Sequence, residues 1–112
     1  MIFVFGSNLA GRHGKGAALY ARQHFGAIYG QGEGLQGQSY AIPTKDEKLR
    51  VRGLSEIIDS IKTFIDFANN SPELEFLITP VGCGLAGFEQ STIKPLFGEL
   101  PVNCTFSKEW NI

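Results

Sequence analysis

The sequence predicts an α/β domain whose sheet is mixed or mostly parallel and is flanked by helices. Strand-like and helix-like segments alternate along the chain, and nothing repeats at a fixed period. Glycine-rich loops follow the first and fourth strand candidates. In sheets of this kind ligands bind in the loops beyond the carboxyl ends of the strands. The glycines therefore gather where such a fold puts its site.

The elements follow in order. Ile2–Phe5 is a short apolar run ended by Gly6 and reads as a buried strand. Gly16–Phe25 reads as a helix, because Ala17, Ala18, Leu19 and Ala21 favour one and Gly26 is placed to stop it. Ala27–Tyr29 is a short strand candidate. Gly30 to Gly37 holds four glycines in eight positions and predicts irregular chain. Ser39–Pro43 is the next strand. Leu54, Ile57, Ile58, Ile61, Phe64, Ile65 and Ala68 then make one apolar stripe at helical spacing, which predicts an amphipathic helix over 54–68. Leu74–Thr79 is a strand, 80–88 a loop, Thr92–Leu100 a short helix with Pro95 in its first turn or at a kink, and Val102–Phe106 the last strand.

With 112 residues the chain is expected to be a single domain spanning 1–112. Hydrophobic residues make up 43% and charged residues 19%, so the chain can bury a core and intrinsic disorder is not expected. A net charge of −1 argues against general nucleic-acid binding. Yet residues 1–52 carry seven Lys/Arg against three Asp/Glu, and 53–112 carry three against eight. A basic, glycine-rich half suits a small anionic ligand, although two solvated faces of opposite charge would look the same. No apolar run approaches the ~20 residues of a membrane span, and no secretory signal opens the chain, so no membrane partner is expected. Cys83 and Cys104 without such a signal predict a reduced, cytoplasmic protein. Two Cys and two His at no ligand spacing predict no metal, and no cofactor motif is present.

Two stretches could carry chemistry. Gly6–Gly16 leaves a strand and enters a helix, so its backbone N–H groups and the helix N-terminus can receive an anion, helped by Arg12 and Lys15. A P-loop is excluded because Arg12 and His13 stand where Lys and Ser/Thr are needed. Thr79–Phe88 likewise runs from a strand toward a helix and could clasp the other side of the same anion. Two such cradles suit a diphosphate; tight turns closing βα units are the alternative. Ser7 and Asn8 could orient a ribose or a water, or simply form the turn. Cys83 with His13 as base could be a nucleophile, but a small buried loop residue is the plainer reading. Tyr29, Tyr40 and Phe88 suit stacking on a base and core packing about equally.

Gly14-Lys-Gly-Ala-Ala18 opening a helix, Ala41-Ile-Pro-Thr-Lys45 ending a strand, and Val81-Gly-Cys-Gly-Leu-Ala-Gly-Phe88 resemble, in the same order, the ligand segments of macrodomains. The resemblance covers about residues 2–106 and is greatest to the branch of the terminal ADP-ribose protein glycohydrolase. It implies a three-layer α/β/α fold that binds ADP-ribose or a related nucleotide diphosphate, free or as a modification on protein or nucleic acid. By position it implies that Ser7, Asn8, Gly14, Lys15, Gly16 and Ala17 contact diphosphate or the distal ribose. Val81, Gly82, Cys83, Gly84, Leu85, Ala86, Gly87 and Phe88 would wrap the diphosphate, and Lys45 falls on the branch's nucleophilic lysine. Two positions depart from the branch. Its acid/base Asp is Ala86 here, with Glu89 and Asp46 the nearest carboxylates in sequence. The Asp that recognises the adenine amino group, after an additional first strand, has no counterpart. The resemblance thus implies either an ADP-ribosyl hydrolase using Lys45 or a non-catalytic module that reads or sequesters such ligands. A protein-interaction domain is the third reading.

Overall fold

Alternation along the first strand sets the layers. In β1 (Ile2–Asn8), Ile2 and Val4 enter a cluster of 15 buried residues, while Phe3 and Phe5 enter one of six on the opposite face. The computed structural model describes all 112 residues. Its other elements are α1 (Gly16–His24), β2 (Gly34–Gln36), β3 (Ser39–Lys45), α2 (Leu54–Asn69), β4 (Phe76–Ile78), α3 (Gln90–Ile93) with a following 3₁₀ turn (Lys94–Phe97), and β5 (Cys104–Phe106). The sheet order is β2-β3-β1-β4-β5, parallel throughout except for the antiparallel β2–β3 pair. Helix α1 covers the smaller cluster through Ala18 and Ala21. Helix α2 and the α3 region cover the larger one through Ile57, Ile61, Phe64, Ile93 and Phe97. The result is the α/β/α sandwich with a mixed sheet that the sequence predicts.

Helix α2 forms where the apolar stripe predicts it. Its stripe buries Ile57, Ile61, Phe64 and Ala68, and each large side chain so buried is worth about 1.5–3 kcal/mol. The Glu56 carboxylate accepts the Gly53 N–H at 3.2 Å, one half of a capping box at its start. No helix is long and apolar enough to cross a membrane.

Four expectations are corrected. Ala27–Tyr29 is not a strand: the Ala27 N–H turns back to the Ala21 carbonyl (3.2 Å), and its methyl fills the smaller cluster. The strand lies instead inside the glycine-rich stretch, where Gly34, Leu35 and Gln36 pair with Ala41, Tyr40 and Ser39 across a turn at Gly37. Pairing to β3 supplies what local propensity lacks. The helix expected over 92–100 divides into α3 and the 3₁₀ turn, because Pro95 brings no N–H and Gly98, at φ +61°, ends the run. Strands β4 and β5 keep only three residues each.

The C-terminal segment braces the end of β4. The Ser107 N–H and the Trp110 indole N–H both donate to the Ile78 carbonyl, at 2.9 and 2.8 Å, immediately ahead of the 80–88 loop.

Candidate functional site

The carboxyl ends of β1, β3 and β4 lie side by side, so the segments leaving them converge on one cleft of about 690 Å³. Its walls are the end of β1 and the turn into α1, the end of β3, and the 79–86 loop.

The first wall is braced from within. The Asn8 side chain closes the turn, accepting the Arg12 N–H at 2.9 Å and donating to the Arg12 carbonyl at 3.1 Å. The Ser7 hydroxyl donates to the Gly32 carbonyl. Behind them the fully buried His13 ring donates through Nε2 to the Gln31 carbonyl (3.0 Å) and Gln36 Oε1 (3.2 Å), with its edge on Phe5. Both partners are acceptors, because the Gln36 amide nitrogen donates to the Gln31 and Gly34 carbonyls. Chain 30–36 thus serves as a splint for the 8–13 turn. Gly11 is where they touch: it has φ +72°, and a Cβ there would run into the backbone of Gly30 and Gln31. Past the turn, α1 begins with no capping side chain, and its first residues Gly16, Ala17 and Ala18 line the cleft.

The second wall is different. Within 79–88, Val81, Cys83, Gly87 and Phe88 donate their N–H groups to nearby carbonyls, whereas those of Gly82, Gly84, Leu85 and Ala86 have no acceptor in the chain. These last four residues line the cleft. Gly82, at φ +75°, is held between Thr44 and Phe88, so the loop can lie against the end of β3. Anchorage comes from Thr79, whose hydroxyl and N–H both bond the Val4 carbonyl, at 2.6 and 3.1 Å.

Between the walls stands Lys45, last residue of β3. The strand end is fixed by Arg52, which donates to the Thr44 carbonyl (3.0 Å), the Pro43 carbonyl (2.7 Å) and Ser60 of α2 (2.9 Å). The charged residues lining the cleft are Arg12, Lys15 and Lys45, none of them in an ion pair, and no Asp or Glu lines it. Asp46 accepts the Arg50 and Lys48 N–H groups and the Arg50 guanidinium, closing a turn that puts Leu49 at the rim with φ +63°. The Arg50 N–H first, then the other donors, hold the Asp46 carboxyl below its ordinary value. Glu89 stands at the start of α3, outside the cleft. Tyr29 (55% exposed, with the Arg22 guanidinium over its ring) and Leu85 (65% exposed) complete an apolar rim.

The fold brings Ser7, Asn8, Gly14, Lys15, Gly16, Ala17, Lys45, Val81, Gly82, Gly84, Leu85 and Ala86 into one cleft. It leaves Cys83, Gly87 and Phe88 out of the lining. Phe88 packs against the larger core cluster, and Tyr40 lies inside that cluster. The Cys83 thiol bonds the Val81 carbonyl and burial pushes its pKa up, which disfavours a thiolate. His13 Nε2 is spent on Gln31 and Gln36, and its buried Nδ1 has no hydrogen-bond partner. Leu49 lines the cleft without having been singled out from sequence, and Thr44 and Thr79 line it from segments that the sequence marks without giving either threonine a role. No group of three or more His, Cys, Asp or Glu could hold a metal ion.

The sequence matches no protein-family model and no curated protein. Solved structures do match. One is Thermosipho africanus DarTG in complex with ADP-ribose, at TM-score 0.69 and 19% identity over 100% of this chain. This chain spans 39% of that one. Another is the macrodomain of Mycobacterium tuberculosis DarG, at TM-score 0.65 and 20% identity over 94% of this chain and 86% of that one. With the α/β/α layers and a cleft at the strand ends, these likenesses identify the chain as having the macrodomain fold.

Proposed function

We propose that the cleft binds ADP-ribose or a closely related nucleotide diphosphate-ribose. The observation that carries the reading is a wall of unpartnered donors. The 82–86 loop, four of whose backbone N–H groups have no acceptor in the chain, lines with the uncapped start of α1 a cleft whose charged residues are all cationic. Bonds from such donors to an anion are roughly twice as strong as neutral ones. Supporting it, one structure of the same fold was solved with ADP-ribose. Lys15 and Arg12 neutralise the diphosphate, and the Tyr29, Leu49 and Leu85 rim covers apolar faces of base or ribose.

Lys45 favours a second reading, hydrolysis of an ADP-ribosyl bond. It lines the cleft without an ion-pair partner, as a nucleophile must. Its amine would attack the anomeric carbon, and the departing group must then take up a proton. The cleft lining contains no carboxylate to supply that proton. Loss of general acid catalysis costs about 10²–10⁴-fold, so binding without rapid turnover is the leading reading. Titration with ADP-ribose by calorimetry, followed by incubation with ADP-ribosylated protein and DNA, separates the two. Heat with ADP-ribose and no release supports the binding module. Release abolished by Lys45→Ala supports the hydrolase. Absence of heat contradicts the whole reading.

A further inference from the structure

We infer that Asp46 is a positioning residue of the cleft: a hairpin built on its carboxylate holds Leu49 at the rim, in a strained backbone conformation, so that Leu49 covers the bound ligand. The inference rests on the proposed binding of ADP-ribose, and it gives Asp46 a role other than that of an acid.

Beyond β3 the chain turns back on itself. Lys45 bridges Val51 in antiparallel fashion, the Asp46 N–H donates to the Arg50 carbonyl (2.8 Å), and the Leu49 N–H donates to the Asp46 carbonyl (3.1 Å). This is a hairpin with a three-residue loop, 47–49. The third position of such a loop takes the left-handed conformation and is ordinarily glycine. Here it is leucine, at φ +63°, and no other non-glycine residue of the chain has a positive φ. For a residue with a Cβ this region is disfavoured by roughly five- to thirty-fold.

Core packing does not account for the leucine. Leu49 is 41% exposed and belongs to neither core cluster. It lines the cleft instead, together with Thr44 and Lys45. The strain is therefore a property of the site and not of the core. An apolar side chain held there before the ligand arrives covers an apolar ligand face without first having to be ordered.

The Asp46 side chain does the holding. Its Oδ1 accepts the N–H groups of Lys48 (2.8 Å) and Arg50 (2.9 Å), on either side of Leu49, and its Oδ2 accepts Arg50 Nε at 3.1 Å. An exposed ion pair is worth little, so the two bonds to Oδ1 carry the restraint. An amide oxygen accepts them as a carboxylate does, and a methyl group does not.

The test measures ADP-ribose affinity by calorimetry and the unfolding midpoint in denaturant for the parent and four variants. Leu49→Gly and Leu49→Ala should each weaken binding about five-fold. Leu49→Gly should unfold at a midpoint no lower than the parent's, because glycine removes the strain. Asp46→Ala should weaken binding about three-fold or more, and Asp46→Asn should stay within about two-fold of the parent. Affinities within about two-fold of the parent in both Leu49 variants overturn the contact. A lowered midpoint in Leu49→Gly overturns it too, since the leucine would then serve the fold. Parent-like binding by Asp46→Ala, or equal weakening in Asp46→Asn and Asp46→Ala, overturns the positioning role. All these results leave the proposed function standing; if the parent gives no heat with ADP-ribose, that function fails and the inference falls with it.

Discussion

The two glycine-rich regions of this chain have similar composition and opposite mechanical character. Between residues 6 and 37, Gly11, Gly32 and Gly37 let backbones touch, although Gly14 and Gly30 stand open: a Cβ at Gly32 would strike the carbonyls of Asn8 and Leu9, and one at Gly37 would strike Gly26. There the side chains of Asn8 and Ser7 and the Nε2 of His13 bond to the chain itself. Between residues 82 and 87, a Cβ at Gly84 or Gly87 would meet nothing within 4 Å, and four N–H groups lack acceptors. Gly11, Gly32 and Gly37 of the first region let braced backbones pack, whereas Gly84 of the second stands open beside N–H groups without acceptors. A composition cannot distinguish the two, but the position of each glycine relative to other backbone can.

That contrast can be broken by substitution. The largest effect is expected from Gly32→Ala, where the new methyl must displace backbone at a braced turn. Loss of about 2–3 kcal/mol of stability, read as a fall in unfolding midpoint, is the expected result. An unchanged midpoint would show that the splint is not rigid. Next is His13→Ala, which removes a buried ring and one of the two donors to Gln36 Oε1, the Ile28 N–H being the other. About 2 kcal/mol should be lost in denaturant unfolding, with ligand affinity falling because the 8–13 turn loosens.

Lys15→Ala acts on the ligand alone. It should weaken ADP-ribose binding about ten-fold, near 1.4 kcal/mol, at an unchanged unfolding midpoint. A shift in midpoint would mean that this cation holds the fold. Gly84→Ala is the mirror of Gly32→Ala and the smallest in stability. Within about 0.5 kcal/mol of the parent in unfolding, it should still weaken binding by placing a methyl in the cleft. Destabilisation comparable to that of Gly32→Ala would erase the difference between the regions.

How far the sequence discloses this architecture depends on the physics of each element. Strand β1 and helix α2 are legible because their burial has a period, two in one case and 3.6 in the other. Strand β2 is not, since Gly34, Leu35 and Gln36 become a strand only through pairing with β3, a long-range fact. The break at Gly98 similarly needs the backbone angle, not the residue names. For the cleft, glycine runs at strand ends point to both walls. They do not reveal that Ser7 and Asn8 turn their side chains to the backbone, nor that Cys83 and Phe88 lie on the far side of their loop. Thr44, Thr79 and Leu49 enter the cleft only because β3 and β4 end beside β1.

The central claim is that the open donors of the second loop hold the ligand, and backbone amide NMR tests it most directly. In a 12.2 kDa chain each amide can be followed during titration with ADP-ribose. The account predicts the largest shifts at Gly82, Gly84, Leu85 and Ala86 and at Gly16 and Ala17 across the cleft, with the N–H groups of 30–36 little changed. Saturation without shifts in the 82–86 amides, or shifts centred elsewhere on the molecule, would contradict it.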